Sequence, residues 1–343
     1  MRVAELYEFR RFRIVEQALE EPGPGAVQVR LLAVGVCGSD LHHFSEGQIG
    51  GAPTVYPLVM GHEPAGRVVK TGPGVTGWSP GDRAAIEPSQ FCYRCEFCRV
   101  GRHNLCTSLR FLSAQPHLGL FRDHANVPAH TLMPLAPELS LEEATLIEPL
   151  AIVLHSMKFA QPQLGETAAV LGAGPIGLLT VLVLKLAGVS RVWAVEPVGR
   201  RRELARQMGA EEVIDPAAVD PVRQIRSETG ERGVDLALDC AAKGDSLNQC
   251  LRATRKGGRF VLTGIPSATY LPLDIETMRL AELAFFNVRR SATEFHPALE
   301  LLGQQRARLA PLLTHEFPLE DIERAFSLLE RYEDGVAKIV IKP

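Results

Sequence analysis

AAVLGAGPIGLLTVLVLKLAG, residues 168–188, is a long apolar run broken by Gly172, Gly174, Pro175 and Gly177. Its length would suit a membrane span, but the glycines fall together at one point, which reads instead as strand, tight turn and helix. The turn spells G-x-G-x-x-G with glycines at 172, 174 and 177. The first permits the turn, the second lets the backbone approach a pyrophosphate, and the third lets helix and strand pack closely. A helix opening at Pro175 and Ile176 would point its free N–H groups and positive dipole end at phosphates. Glu196 follows at the end of the next apolar run, RVWAVE, where a carboxylate can accept both ribose hydroxyls of NAD and would repel the 2′-phosphate of NADP. Arg200, Arg201 and Arg202 come just after it; a guanidinium there could cradle a phosphate, stack on adenine or lie solvated on a helix. NAD is the preferred cofactor and NADP the alternative.

Outward from this turn the texture is regular. AAVLG, RVWAVE, EEVI, VDLALDC and GRFVLTGI read as strands. The segments PIGLLTVLVLKLAG, GRRRELARQMG, VRQIRSETG and DSLNQCLRATRKG read as the helices between them. Such alternation implies an α/β fold, a doubly wound parallel sheet with helices on both faces. Residues 1–150 differ, with short apolar runs separated by Pro-Gly turns such as Pro22-Gly23-Pro24-Gly25 and Pro80-Gly81-Asp82, a strand-dominated pattern. After 289 come two amphipathic helices, HPALELLGQQRARL and LEDIERAFSLLERY, and a last strand, AKIVIKP. The expected division is 1–150, 151–288 and 289–343.

Seven cysteines are distributed unevenly. Cys92, Cys95, Cys98 and Cys106 crowd one short lobe, about 88–108, with little apolar content to order it. Four sulfurs at this spacing suit a closed, tetrahedral structural zinc. A second set is dispersed: Cys37 in GVCGSDLHHF, His62 and Glu63 in GHE, and Glu148 in IEPLA. A thiolate, an imidazole and a carboxylate would suit a catalytic zinc with one position open, and Asp40 could orient the imidazole of His62. Taken singly, Cys37 also reads as a small buried hydrophobe, His62 as a satisfied polar residue and Glu148 as a helix N-terminal charge.

The bulk numbers exclude other classes. Apolar residues make up 46% and charged residues 22%, as in a globular protein, and a net charge of −3 gives no electrostatic attraction to nucleic acid or an anionic membrane. The opening MRVAELYEFR lacks the apolar core of a secretory signal, so the expected location is the cytoplasm.

The motifs CGSDLHHF, GHEPAG, GDRAAIEP, the four-cysteine lobe, IEPLA and LGAGPIG occur in the order found in the medium-chain zinc alcohol dehydrogenases, which this chain resembles over essentially its whole length. The resemblance implies a GroES-like, β-rich catalytic domain that the chain leaves near 150 and re-enters near 290, with a Rossmann domain between. It implies two zinc ions per subunit, NAD, a small-molecule alcohol as substrate and a homo-dimer or homo-tetramer. Cys37 and His62 match zinc ligands; Glu63 and Glu148 match positions that ligate zinc or hold its water, and which of them is bound stays open. Ser39 and His42 match a proton relay. Gly172, Gly174, Gly177, Glu196 and Arg201 match cofactor contacts.

Within the family the sorbitol-type polyol branch is most similar, on HHFSEGQIG at 42–50, EPSQ, FLSAQP and ATLIEPL. His43 stands where that branch has tyrosine, and Arg289-Arg290-Ser291 where it has an arginine–tyrosine pair. Phe44, Phe111 and Leu112 are candidate pocket walls, and Arg290 a candidate contact to substrate or cofactor. The alternatives are a threonine, sugar or simple-alcohol dehydrogenase of the same fold and, from another class, a non-catalytic binding protein built on the zinc lobe.

Overall fold

In the computed structural model, which describes residues 1–343, the chain divides into two units. The first comprises Met1–Gln48, Pro53–Ala151 and Ser291–Pro343, and the second Ile49–Ala52 and Ile152–Arg290.

The first unit opens with a hairpin of β1 (Arg2–Glu8) and β2 (Arg11–Glu16). Strand β3 (Ala26–Gly35), helix α1 (Gly38–Glu46), and strands β4 (Glu63–Thr71), β5 (Arg83–Ile86), β6 (His124–Pro128) and β7 (Leu132–Pro134) follow. Helix α1 starts where Asp40 Oδ2 accepts the Cys37 N–H at 3.1 Å, and stops at Gly47, which takes the left-handed φ of 64° that ends helices. Helix α2 (Ile147–Ala160) begins in this unit and continues as the first segment of the second.

The second unit carries β8 (Thr167–Leu171), α3 (Pro175–Leu186), β9 (Arg191–Val195), α4 (Gly199–Met208), β10 (Glu212–Ile214), α5 (Pro221–Glu228), β11 (Val234–Asp239), α6 (Ser246–Ala253), β12 (Thr254–Leu262) and β13 (Ala284–Asn287). Its six strands are all parallel, in the order β10-β9-β8-β11-β12-β13. Central strands covered on both faces become continuous apolar runs, and every residue of β11 is buried. Two details depart from the sequence expectation. Helix α6 ends at Ala253, so Thr254–Gly257, read as helix, begins β12 instead; Gly257 at φ 66° could not continue a helix. The sixth strand, β13, and a short helix at Ile275–Leu280 are additional to the expected elements; as a half-exposed edge, AFFN has neither the alternation nor the length that marks a strand in sequence.

The last segment of the first unit holds α7 (Phe295–Leu309), β14 (Leu313–Pro318), α8 (Ile322–Arg331) and β15 (Lys338–Lys342). Its sheet runs β7-β5-β4-β3-β15-β14, with β6 also on β3. The final strand therefore lies against the first long one, with Val340 opposite Gly35. Helix α8 turns Ile322, Ala325, Phe326 and Leu329 into the core, where Phe326 meets Phe44 at 5.3 Å and Phe12 at 5.1 Å between ring centroids. Phe44 is 1% exposed and stacked in this cluster, so it is a core residue and not the pocket wall expected from sequence.

One buried acid knots the second unit. Asp235 accepts from Thr167 N and Oγ1, both at 2.9 Å, from Arg232 Nη2 at 2.5 Å and from Arg255 Nε at 2.6 Å. Burial raises its carboxyl pKa, but the hydrogen bonds from Arg232, Arg255 and Thr167 outweigh that and hold it well below the usual carboxylate range. A carboxyl lowered on folding stabilises above its unfolded pKa, and the contribution is lost as pH falls toward the folded value. Asp235→Ala is expected to cost about 2–4 kcal/mol at pH 7. The gap to the parent should narrow below about pH 4. Urea unfolding at both pH values checks this, and coincident curves at pH 7 would refute it.

Candidate functional site

Cys37, His62 and Glu63 come together in the first unit. Their ligand atoms lie within 4.8 Å of one another, although 25 positions of chain separate the first from the second. Each is placed by a different device. Cys37 stands at the N-terminus of α1, where free N–H groups favour an anion. His62 lies in the segment that enters β4, and Glu63 is the first residue of that strand, in register with Gly35.

Asp40, 1% exposed, braces the group. Its Oδ1 is 3.5 Å from His62 Nδ1 and accepts from Gly61 N and Ser113 Oγ, each at 3.4 Å. Burial alone would raise the Asp40 pKa, but His62 and the N–H groups of Cys37 and Gly61 hold it low. Burial likewise opposes charge on His62, yet Asp40 and Cys37 draw its pKa well above the ordinary value. The surroundings therefore favour a positive charge at the imidazole, and a divalent cation on its other nitrogen satisfies the same field. A thiolate, an imidazole oriented by a buried carboxylate and a second carboxylate are a donor set that zinc accepts.

Around this cluster, Ser39 Oγ is 3.4 Å from His62 Nε2, and His42 Nδ1 is 3.0 Å from Glu46 Oε1 one helical turn on. The Phe111 ring lies 5.2 Å from that of His62, and Leu112 packs on the core beside it. His43 is fixed to Thr54 Oγ1 at 2.8 Å. Arg290 is half-buried at the end of the second unit, with φ 55°. Glu148, in the first turn of α2 and 7% exposed, lies outside the three-residue cluster. It borders Glu87, whose pKa is pushed up to about 7 by burial and by the neighbouring Glu294 and Glu148. Sequence reasoning passed over Glu87, Glu294 and Lys338, the last of which pairs with Glu63. Only Lys338 left a trace, as a cation inside a strand, AKIVI, that otherwise reads as buried.

The four lobe cysteines also converge, their sulfurs within 4.8 Å of one another and the Cys92 and Cys98 sulfurs 4.0 Å apart. Tetrahedral ligands at the usual zinc–sulfur length stand about 3.8 Å apart. Cys92 N donates to Cys106 Sγ and Cys95 N to Cys92 Sγ, both at 3.3 Å, the support a bound thiolate needs.

In the second unit Gly172 takes φ 89°, and a Cβ on Gly177 would overlap the Gly172 carbonyl, so both positions require glycine. Gly174 caps α3, with Pro175 and Ile176 opening it. Glu196, 4% exposed, accepts from Ala173 N at 2.8 Å and Val198 N at 3.0 Å, tying the second strand's end to the glycine turn. The three arginines separate. Arg201 is buried, and its Nη1 would lie 4.0 Å from a Cβ on Gly174. Arg202 donates to the Glu196 and Pro197 carbonyls and pairs with Asp215, while Arg200 lies outside with Glu203.

Residues 23–137 match the alcohol dehydrogenase GroES-like domain, and residues 175–304 match the zinc-binding dehydrogenase domain. The sorbitol dehydrogenase of Bacillus subtilis is 31% identical over 343 residues, covering 100% of this chain and 97% of its own. The L-idonate 5-dehydrogenase of Vitis vinifera is 32% identical over 336 residues, covering 96% and 91%. A zinc-binding dehydrogenase structure from Sinorhizobium meliloti, bound to NADP, superposes with a TM-score of 0.90 at 28% identity, covering 100% and 99%. An alcohol dehydrogenase from E. coli CFT073, complexed with NADH, does so with a TM-score of 0.89 at 28% identity, covering 100% and 99%. No helix of the chain is long and apolar enough to cross a membrane.

Proposed function

The chain belongs to the zinc-dependent medium-chain alcohol dehydrogenases, in their sorbitol-dehydrogenase-like branch, and from that premise we propose that it moves a hydride from a secondary alcohol of a polyol to NAD. The observation that carries this is the gathering of Cys37, His62 and Glu63 around one point, with Asp40 behind the imidazole. Zinc held there supplies Lewis acidity, which lowers the pKa of an alcohol hydroxyl. Cys37 and His62 hold the metal, and Glu63 or Glu148 completes the set or orders water beside it. Ser39 takes the substrate's hydroxyl proton, and His42, steadied by Glu46, carries it onward. Phe111 shields the imidazole from water on one face. Cys92, Cys95, Cys98 and Cys106 hold a second, structural zinc.

The glycine turn at 172–177, with Pro175, Ile176 and Arg201, receives the pyrophosphate, and Glu196 the adenosine ribose. NAD is favoured over NADP because Glu196 occupies the ribose position while Arg202 is committed to carbonyls and Asp215. None of the seven cysteines is paired in a disulfide, and thiols kept reduced for metal binding suit a protein working in the cytoplasm. A homo-oligomer is supported by β13, an edge strand with Phe285 partly exposed and unpaired backbone on one side.

The test is absorbance of the reduced nicotinamide with zinc-loaded protein, NAD and NADP in turn, and a panel of sorbitol, xylitol, L-idonate, threonine, glucose and simple secondary alcohols. Turnover of polyols with NAD is expected. Turnover confined to threonine, a sugar or a simple alcohol discards the polyol assignment and keeps the metal chemistry, and preference for NADP discards the role given to Glu196.

A further inference from the structure

Away from the glycine turn, the second unit gathers cations at the opposite edge of its sheet. Arg226, Arg232, Arg252, Arg255 and Lys256 line a cleft of about 640 Å³, and Glu231 is the one acid on its wall. Topology brings them together. Arg226 and Arg252 lie in the last turns of α5 and α6, Arg232 shortly precedes β11, and Arg255 and Lys256 open β12. In a parallel sheet all strands start at one edge, so these positions share the edge opposite Gly172, which follows the end of β8. Strands of five or six residues set the two edges about 17–20 Å apart, which makes the cleft separate from the pyrophosphate turn.

The acids at hand neutralise only part of this charge. Arg252 is matched, with Nε on Asp274 and Nη1 on Asp245, both at 3.1 Å. Arg232 and Arg255 share one carboxylate, Asp235, so two guanidiniums draw on a single negative charge. Arg226 donates to the main-chain carbonyls of Arg252 at 3.0 Å and Glu231 at 2.6 Å, which fix its fork without cancelling its charge. The Glu231 carboxylate stands 3.7 Å from Arg226 Nε and is largely exposed. Lys256 is exposed, and its side chain has no ion-pair partner.

A guanidinium pinned in this way keeps spare N–H groups in a fixed plane, the arrangement that binds phosphate oxygens in pairs. Arg226 spends two of its five N–H groups on carbonyls, and Arg255 spends two, on Asp235 and the Lys256 carbonyl. Leu280 and Ala281, at the end of the short helix Ile275–Leu280, give the cleft one apolar side. The volume is that of a small-molecule site and exceeds what a lone phosphate fills. Asp245 and Asp274, just outside, would repel an extended polyanion running past it.

We propose that this cleft binds a small, multiply charged metabolite bearing phosphate groups, held by Arg226, Arg255 and Lys256. Its occupancy ties α5, α6 and the start of β12 together, and so stabilises the second unit without touching the reacting atoms.

The test is titration calorimetry on full-length, zinc-loaded protein saturated with NADH, so that the glycine turn is filled. The probe is bisphosphoglycerate, which offers neither a free hydroxyl to oxidise nor a ketone to reduce. One equivalent per chain is expected to bind, with a dissociation constant below about 1 mM. Lys256→Glu, at a side chain that makes no ion pair, should weaken binding about tenfold or more while leaving alcohol turnover unchanged. Arg226→Gln should weaken it likewise. Arg206→Glu, the same reversal of charge at an exposed position of α4, should leave it within about twofold. The probe should also raise the Tm of the parent and not that of Lys256→Glu. Absence of binding overturns the proposal, as does binding weakened no more by Lys256→Glu and Arg226→Gln than by Arg206→Glu. Tighter binding of citrate or of a short oligothymidine than of bisphosphoglycerate overturns it as well.

Discussion

Cys37→Ala should lower kcat/KM for any alcohol substrate by more than about 10³-fold, since a Lewis acid contributes several kcal/mol to such a transition state. Metal content should fall by one equivalent per chain. The fold should persist, because Cys37 is half-buried at a helix terminus that Asp40 already caps through the backbone. Thermal unfolding within about 1 kcal/mol of the parent is therefore expected. Turnover at the parent's rate would remove the catalytic-metal assignment, whatever the fold did.

The opposite pattern is expected at the lobe. Cys98 is buried among three other sulfurs, in a segment whose order rests on few apolar contacts. Structural zinc in small sites carries about 10–16 kcal/mol of binding free energy. Cys98→Ala removes a ligand from that sphere, and a loss of more than about 3 kcal/mol is expected, with early proteolytic cleavage between 88 and 108. Initial activity per intact molecule should fall less than in Cys37→Ala. Analysis of metal content, limited proteolysis and thermal unfolding on one preparation decide the matter. A stable Cys98→Ala protein that still held the lobe metal would refute the structural role.

The doubly wound unit was legible because its determinants are local: glycines at three places in seven residues, apolar strands, and helices of matching length. Its last strand was not, since AFFN at the sheet's edge is too short for periodicity to register. The four lobe cysteines announce themselves by spacing, whereas Cys37 and His62 are far apart in sequence and were tied together only through family motifs. Phe44 shows the limit of such transfer. It follows the relay motif in sequence, but the helix turns it toward Phe12 and Phe326 and away from any opening. Lys338 marks another limit, for its partner is set by a strand pairing across 300 positions that no window along the chain contains.

That pairing also sets a timetable for biosynthesis. Strand β3 leaves the ribosome long before β15, and at about 5–20 residues per second the wait is about 15–60 s. During it the middle unit, whose strands are contiguous along the chain between Thr167 and Asn287, has all its pieces in hand. The nascent protein therefore has a complete dinucleotide-binding sheet at a stage when Glu63 has yet to meet Lys338, and until the last strand arrives that carboxylate is without its ion-pair partner.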